Sequence, residues 1–186
     1  MLEIRWHGRG GQGVVTAARI LAAAALRDGK YFQAFPEFGP ERRGAPLQAF
    51  TRIDEKPVRV FSQVTNPQVV VVLDSTLLGK VCVADGLTDD GIVVANFGGT
   101  PAELKKLLDL NGQKVFVVNA TDIAVRNLGR PITNTPMVGA LLKASGVLAL
   151  DVVEAQLRET FAKLKGDLVT RNVAALKEAY EEVRGE

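Results

Sequence analysis

A glycine-rich segment near the start of the chain has the residue types and spacing of a phosphate-binding loop. This glycine loop consists of Gly8, Arg9, Gly10, Gly11, Gln12 and Gly13. It follows a predicted strand and precedes an alanine-rich predicted helix. Glycines let the backbone approach a phosphate closely, and a helix N-terminus offers unpaired N–H groups. We therefore predict phosphate binding, to which Arg9 could add a full charge; the alternative is a tight turn that binds nothing.

A second candidate is a pair of adjacent arginines, Arg42 and Arg43, in a segment rich in proline and glycine. The segment, residues 36–46, contains three prolines and cannot form a helix or a central strand. Guanidinium groups bind phosphate or carboxylate through paired hydrogen bonds. The alternatives are a solvated charged loop and a structural salt bridge with Glu37 or Glu41.

Together, the two candidates indicate a ligand that carries a pyrophosphate and a separate phosphate. Coenzyme A (CoA) and NADP both have this layout. An NADP-binding unit places its ribose-recognising residue after the second strand, about 20 residues past the glycine loop. Arg42 and Arg43 lie further along the chain, which weakens the NADP interpretation.

Four polar residues lie next to predicted strands or helices. Asp74, Asn96 and Asn119 each follow an apolar strand, and Asn134 precedes the Thr135-Pro136 pair that opens a helix. Such residues could form the rim of a crevice at the carboxyl ends of parallel strands. Since Asp and Asn also bond to the local backbone at turns and helix starts, we favour that interpretation for the first three.

The single cysteine and single histidine limit the chemistry that this chain can perform alone. Cys82 cannot form an internal disulfide or ligate an iron–sulfur cluster by itself, and we expect it to be a small buried hydrophobic residue. His7 is expected to pack at a strand end. We find no zinc-binding spacing, no carboxylate pair of an acid/base catalyst and no thiamine diphosphate signature. The sequence therefore predicts no catalytic residue and no metal ligand.

Composition indicates an ordinary globular protein. Hydrophobic residues make up 47% and charged residues 24% of the 186 residues, and the net charge of +2 does not point to nucleic acid. The longest apolar run, residues 20–26, is too short to span a bilayer, and the N-terminus lacks the apolar region of a secretory signal. We expect a cytoplasmic protein without membrane contact.

The order of apolar patterns and helix caps predicts an α/β fold. Apolar runs that suit strands lie at residues 2–6, 31–35, 68–73, 91–95 and 114–118. Helices are expected at residues 14–27, after Thr100, Thr135 and Asp151, and along 169–183. Residues 47–53 and 58–61 read as a hairpin. We predict one three-layer, Rossmann-like domain over residues 1–186, with a mostly parallel sheet and an added hairpin.

The glycine loop and the later run Gly39-Pro40-Glu41-Arg42-Arg43-Gly44-Ala45-Pro46, in this order, resemble a known family. The sequence is similar to the gamma subunit of pyruvate and related 2-oxoacid:ferredoxin oxidoreductases, from its first strand to Asn134-Thr135-Pro136-Met137. The resemblance implies an enzyme that decarboxylates a 2-oxoacid on thiamine diphosphate. Electrons pass through [4Fe–4S] clusters to ferredoxin, and an acyl-CoA is released.

The resemblance also implies which parts this chain supplies. Thiamine diphosphate, Mg and the clusters belong to partner subunits of alpha, beta and delta type. The gamma subunit contributes to the CoA site, through the glycine loop, Arg42, Arg43 and Asn134 in this sequence. Two alternatives stay open, a stand-alone NADP-binding oxidoreductase domain and a purely architectural subunit.

Overall fold

The computed structural model describes residues 1–37, 44–163 and 166–186. In these ranges seven strands form one sheet. The strands are β1 (Leu2–Arg9), β2 (Tyr31–Pro36), β3 (Pro46–Asp54), β4 (Val69–Val72), β5 (Ile92–Asn96), β6 (Lys114–Val118) and β7 (Arg184–Gly185). The helices are α1 (Val14–Arg27), α2 (Pro101–Leu107), α3 (Ala120–Leu128), α4 (Asn134–Ser145), α5 (Leu150–Thr160) and α6 (Leu168–Glu182).

The strand order is β2-β3-β1-β4-β5-β6-β7. Strands β1, β4, β5 and β6 are parallel neighbours, whereas β3 and β7 run against their neighbours. Five of the seven described strands consequently point the same way, which confirms the predicted mostly parallel sheet. The central strands are continuous β-branched runs, as in Val69–Val72, because both faces of the sheet are covered.

The predicted hairpin of residues 47–53 and 58–61 is wrong, although its first arm, β3, does run antiparallel to its neighbours. Residues 58–61 form no strand, and β3 pairs with β2 and β1 instead. The cause is the buried side chain of Arg52, which projects from β3 toward this segment. Its Nη2 atom donates to the backbone carbonyl of Ser62 at 2.8 Å and its Nη1 to that of Val60 at 3.3 Å. The Arg52 side chain therefore occupies backbone carbonyls that would otherwise accept hydrogen bonds from a neighbouring strand.

Helices cover the two faces of the sheet unequally. Helices α1, α4, α5 and α6 pack on one face around Trp6 and Met137, which are fully buried. On the other face, α2 and a 3₁₀ turn at Ser75–Leu77 pack on the valines of β4 to β6. Among the described helices, none combines the length and the apolar composition that a bilayer crossing requires.

Candidate functional site

Strand β1 carries the chain directly into the glycine loop and is longer than predicted. It continues to Arg9, and Gly8 and Arg9 pair with Leu47 and Pro46 of β3. A Cβ atom on Gly8 would lie 2.5 Å from Cγ2 of Val14, the first residue of α1. The missing side chain therefore allows α1 to pack closely against the end of β1.

The turn between β1 and α1 leaves the start of the helix open. Gly11 and Gly13 have φ angles of +96° and +81°, a region that favours glycine. Gly13 is the N-cap of α1 and has no side chain to accept from the first N–H groups, and no acidic residue occupies the first turn of the helix. Unpaired N–H groups and the helix dipole together attract an anion. This geometry suits the predicted phosphate site.

The polar side chains of the glycine loop stabilise the conformation of the loop itself. The Oε1 atom of Gln12 accepts from the backbone N–H of Arg9 at 2.7 Å, and its Nε2 donates to Asp74 Oδ2 at 2.6 Å. The Arg9 guanidinium lies 3.2 Å from Asp74 Oδ2 and donates to Thr76 Oγ1 and to the Gly44 carbonyl. Part of the Arg9 charge is thus already balanced, which the sequence did not indicate.

The carboxylate of Asp74 contacts both Gln12 and Arg9 of the glycine loop. Burial opposes ionisation of its carboxyl group, but hydrogen bonds from Thr76 and Gln12 and the charge of Arg9 outweigh burial, so the pKa of Asp74 lies below its usual range. The carboxylate is therefore charged at neutral pH. Sequence reasoning assigned Asp74 to a local turn, and it does accept from the backbone N–H of Thr76 at 2.8 Å. Its link to Gln12 depends on a contact between distant parts of the chain.

Asn134 lies directly against the glycine loop. It is the first residue of α4 and is only 7% exposed. A Cβ atom on Gly13 would be 2.7 Å from Asn134 Nδ2 and 3.0 Å from its Cγ. The Oδ1 atom accepts from the backbone N–H of Thr135 at 2.8 Å, which fixes the orientation of the amide. Within the described ranges Nδ2 donates no hydrogen bond, and it lies beside Gly13.

Arg42 and Arg43 lie outside the described residues. The chain that follows them is tied to the glycine loop: the backbone N–H of Gly44 donates to the Gly10 carbonyl at 3.3 Å, and that of Gly10 donates to the Ala45 carbonyl at 3.1 Å. The structure thus brings together the glycine loop, Asn134 and the residue after the arginine pair.

Asn96 and Asn119 support the ends of neighbouring strands. Asn119 Oδ1 accepts from the backbone N–H of Asp122 and caps α3. Asn96 Nδ2 donates to the Leu73 carbonyl at 3.0 Å and to Thr121 Oγ1 at 2.9 Å. The local contact of Asn119 confirms the interpretation that such residues bond to the nearby backbone at helix starts. Asn96 departs from it, because its partners lie 23 and 25 residues away, at the end of β4 and the start of α3.

His7 is a packing residue, as predicted. Burial, together with the charge of Arg5, lowers the pKa of His7 to about 3, so its imidazole is neutral near pH 7. Its Nε2 atom accepts from Arg5 Nε at 3.1 Å.

The expectation for Cys82 is wrong: its side chain is exposed, because Val83 beside it occupies the core position. No three His, Cys, Asp or Glu side chains of the described ranges are placed to hold a metal ion.

Comparisons with known proteins identify the family of the chain. The family model for pyruvate ferredoxin/flavodoxin oxidoreductase matches residues 3–182. The chain is 52% identical to the common gamma subunit of pyruvate/ketoisovalerate oxidoreductases from Pyrococcus abyssi, over 99% of this chain and 98% of the relative. It is also 52% identical to the pyruvate synthase subunit PorC of Methanothermobacter thermautotrophicus, over 98% of this chain and 96% of the relative.

Solved structures show the same fold. Pyruvate oxidoreductase subunit PORC from Thermotoga maritima is 44% identical with a TM-score of 0.88, over 100% of this chain and 98% of that chain. The 2-oxoglutarate:ferredoxin oxidoreductase from Magnetococcus marinus, solved with coenzyme A bound, is 19% identical with a TM-score of 0.76. That likeness covers 97% of this chain and 30% of the longer chain, and concerns the fold alone. The chain therefore belongs to the pyruvate ferredoxin/flavodoxin oxidoreductase family.

Proposed function

We propose that this chain is the gamma subunit of a ferredoxin-linked oxidoreductase for pyruvate or a related 2-oxoacid, and that it helps to bind CoA. The observation that carries the proposal is the match, over nearly the whole of both chains, to gamma subunits at 52% identity. In this proposal the alpha, beta and delta-type partners hold thiamine diphosphate, Mg and the [4Fe–4S] clusters. Ferredoxin accepts the electrons, and the complex works in the cytoplasm.

The role in CoA binding is supported by the geometry around Gly13. The N-terminus of α1 and the Nδ2 group of Asn134, which donates to no described residue, offer neutral donors beside one another. The pair Arg42 and Arg43 stands two residues before Ala45, whose carbonyl binds the glycine loop. Donors and cations of this kind suit the phosphates of CoA.

In this proposal the chain orients CoA and supplies no group that reacts. Binding energy from the remote nucleotide end of CoA orients the thiol toward the acyl group on a partner subunit, and such energy lowers the barrier when the reacting atoms are held in place. Thiamine diphosphate supplies the decarboxylation chemistry when it is bound to its own subunit.

The sheet topology argues against the NADP alternative. In a dinucleotide-binding unit the second strand along the chain lies parallel beside the first, and the ribose is recognised at the end of that second strand. Here the antiparallel strand β3 lies between β1 and β2, and the parallel neighbour of β1 is β4. The end of the second strand therefore does not lie beside the glycine loop.

Replacing Arg42 and Arg43 with alanine in the assembled complex tests the CoA role. We expect the KM for CoA to rise roughly ten- to a hundredfold, since hydrogen bonds to charged groups are lost. CoA-independent decarboxylation should continue. Arg158→Ala is a matched control, because Arg158 is an exposed arginine on α5 that pairs with Glu154.

Two outcomes would contradict the proposal. An equal loss of decarboxylation and CoA use would make the arginines structural or linked to thiamine diphosphate. An unchanged KM for CoA, in these variants and in a Gly13→Ala complex, would favour the architectural subunit. A first step is gentle purification of the tagged chain from its host: recovery of the chain alone, binding NADPH, would remove the subunit assignment.

A further inference from the structure

The side chain of Arg9 joins separate parts of the chain. It projects from the last residue of β1, and its Nη1 atom donates to the backbone carbonyl of Gly44 at 3.0 Å. Its Nε and Nη2 atoms donate to Thr76 Oγ1 at 3.2 and 3.0 Å, in the 3₁₀ turn that follows β4. Gly44 and Thr76 are 35 and 67 residues from Arg9 in the sequence. One guanidinium therefore connects the glycine loop to two distant segments.

The carboxylate of Asp74 holds this guanidinium in place. Its Oδ1 atom accepts from the backbone N–H of Thr76 at 2.8 Å, so the carboxylate is fixed to the same turn. Its Oδ2 atom lies 3.2 Å from Arg9 Nε, and the two side chains are 8% and 31% exposed. A planar guanidinium that contacts a carboxylate, a hydroxyl and a carbonyl at once is restricted to one orientation. The carboxylate also balances the positive charge of Arg9.

The bond from Arg9 to Gly44 strengthens a weak backbone contact. The backbone N–H of Gly44 donates to the Gly10 carbonyl at 3.3 Å, which is long for such a bond. The Arg9 bond to the Gly44 carbonyl, at 3.0 Å, is the shorter of the two. Gly44 directly follows Arg43 in the sequence. Arg9 is therefore placed to control the position at which the chain leaves the arginine pair.

We propose that Arg9 is a positioning residue, which fixes Gly44 against the glycine loop and does not itself bind the phosphates of the ligand. The inference rests on the proposed function for its effect on CoA, whereas the contacts of Arg9 do not depend on that function. An arginine that bound a phosphate would act mainly through its charge. An arginine that positions Gly44 acts through the planar arrangement of its N–H groups, which lysine lacks.

Arg9→Lys separates these two roles, because it keeps the charge and removes the guanidinium plane. In the assembled complex we expect Arg9→Lys to raise the KM for CoA roughly fivefold, as much as Arg9→Gln does, with kcat at saturating CoA unchanged. Thr76→Val replaces the hydroxyl that Arg9 contacts with a methyl group and should also raise the KM. Adding it to Arg9→Lys should have little further effect, since both changes break the same contact. Arg171→Lys is the matched control, because Arg171 is an exposed arginine of α6 that pairs with Asp167.

Trypsin gives a second readout that does not involve CoA. It cleaves after arginine, and Arg43 precedes Gly44. In the purified full-length chain we expect Arg9→Lys to speed cleavage after Arg43 roughly fivefold, since fewer bonds hold Gly44 and proteolysis follows the population of locally opened chain. Mass spectrometry of the fragments identifies the site. Cleavage after Arg59 is the internal reference, because Arg59 is exposed in the irregular segment that follows β3.

The outcomes separate this inference from the proposed function. If Arg9→Lys keeps the wild-type KM while Arg9→Gln raises it, or if Thr76→Val lowers the KM, Arg9 acts on the ligand by its charge and the inference is wrong. If the Arg42 and Arg43 variants raise the KM while Arg9→Lys changes neither the KM nor the cleavage rate, the inference is wrong and the CoA role stands. If the arginine-pair variants leave the KM unchanged while Arg9→Lys speeds cleavage after Arg43, the CoA role fails and the positioning of Gly44 by Arg9 stands.

Discussion

Gly13 is the residue at which the glycine loop meets the side chain of Asn134, and Gly13→Ala should destabilise the chain by about 2–3 kcal/mol. Its φ of +81° costs a residue with a side chain about 1–2 kcal/mol. The new Cβ would also lie 2.7 Å from Asn134 Nδ2, closer than the two atoms can approach. Asn134 must then move and lose its bond from the Thr135 N–H, worth about 1 kcal/mol.

Gly11 provides a matched control for this substitution. Its φ of +96° is also positive, but a Cβ atom there would have no atom of the described residues within 4 Å. Gly11→Ala should therefore cost only the backbone strain, about 1–2 kcal/mol. Urea unfolding of the purified chain, followed by circular dichroism, gives both free energies if the slope m stays constant.

A double-mutant cycle isolates the contact with Asn134. In an Asn134→Gly background the three closest atoms, Nδ2, Cγ and Cβ, are absent, and Gly13→Ala should cost about as much as Gly11→Ala. Equal costs for the two glycines in the wild-type background would refute the reasoning. Equal costs would mean that Asn134 is not in close contact with Gly13, so that α4 would contribute no residue to the candidate site.

Two further predictions concern buried polar groups of β1 and β3. The pKa of His7 is 6.5 in the unfolded chain and about 3 in the folded chain. Between these pH values the unfolded chain binds a proton that the folded chain does not, so the free energy of unfolding should fall as the pH falls from 6.5 to 3. His7→Gln should flatten that dependence, and an imidazole NMR signal that titrates near pH 6.5 in the folded chain would contradict the burial argument. Arg52→Met should cost about 3–5 kcal/mol in urea unfolding, because Arg52 is 1% exposed and lies 2.6 Å from Glu3 Oε1. Adding Glu3→Gln should restore part of the lost free energy of unfolding. If nothing is restored, the ion pair between Arg52 and Glu3 is not the main source of the loss.

Local patterns in the sequence were sufficient for most of the fold. The valine run of β4 and the alanine-rich run of α1 predict a buried strand and a buried helix by composition alone. The Thr100-Pro101-Ala102-Glu103 sequence predicts a capping box, and the side chain and backbone of Thr100 and Glu103 do bond reciprocally. These signals are readable because each depends on residues within one or two turns of each other.

The tertiary structure decided the partners of β3 and the environment of each site residue. The apolar residues of 58–61 suit a strand, yet Arg52 binds the backbone of this segment and β3 takes β1 as its neighbour. The sequence indicates that Arg9 could add a full charge to phosphate binding, but the position of Asp74 at the end of β4 brings a carboxylate to it.

What the sequence alone determined about this protein is most of its strands and helices, although not α3 or β7, together with the glycine loop and the lack of cysteines and histidines for a cluster or a triad. What only the tertiary structure decided is that Asn134 lies against Gly13. The physical reason is the range of the interactions. Hydrophobic periodicity, caps and turns act between near neighbours in the chain, whereas a site is formed by side chains that come from separate elements and meet only when the helices pack on the sheet.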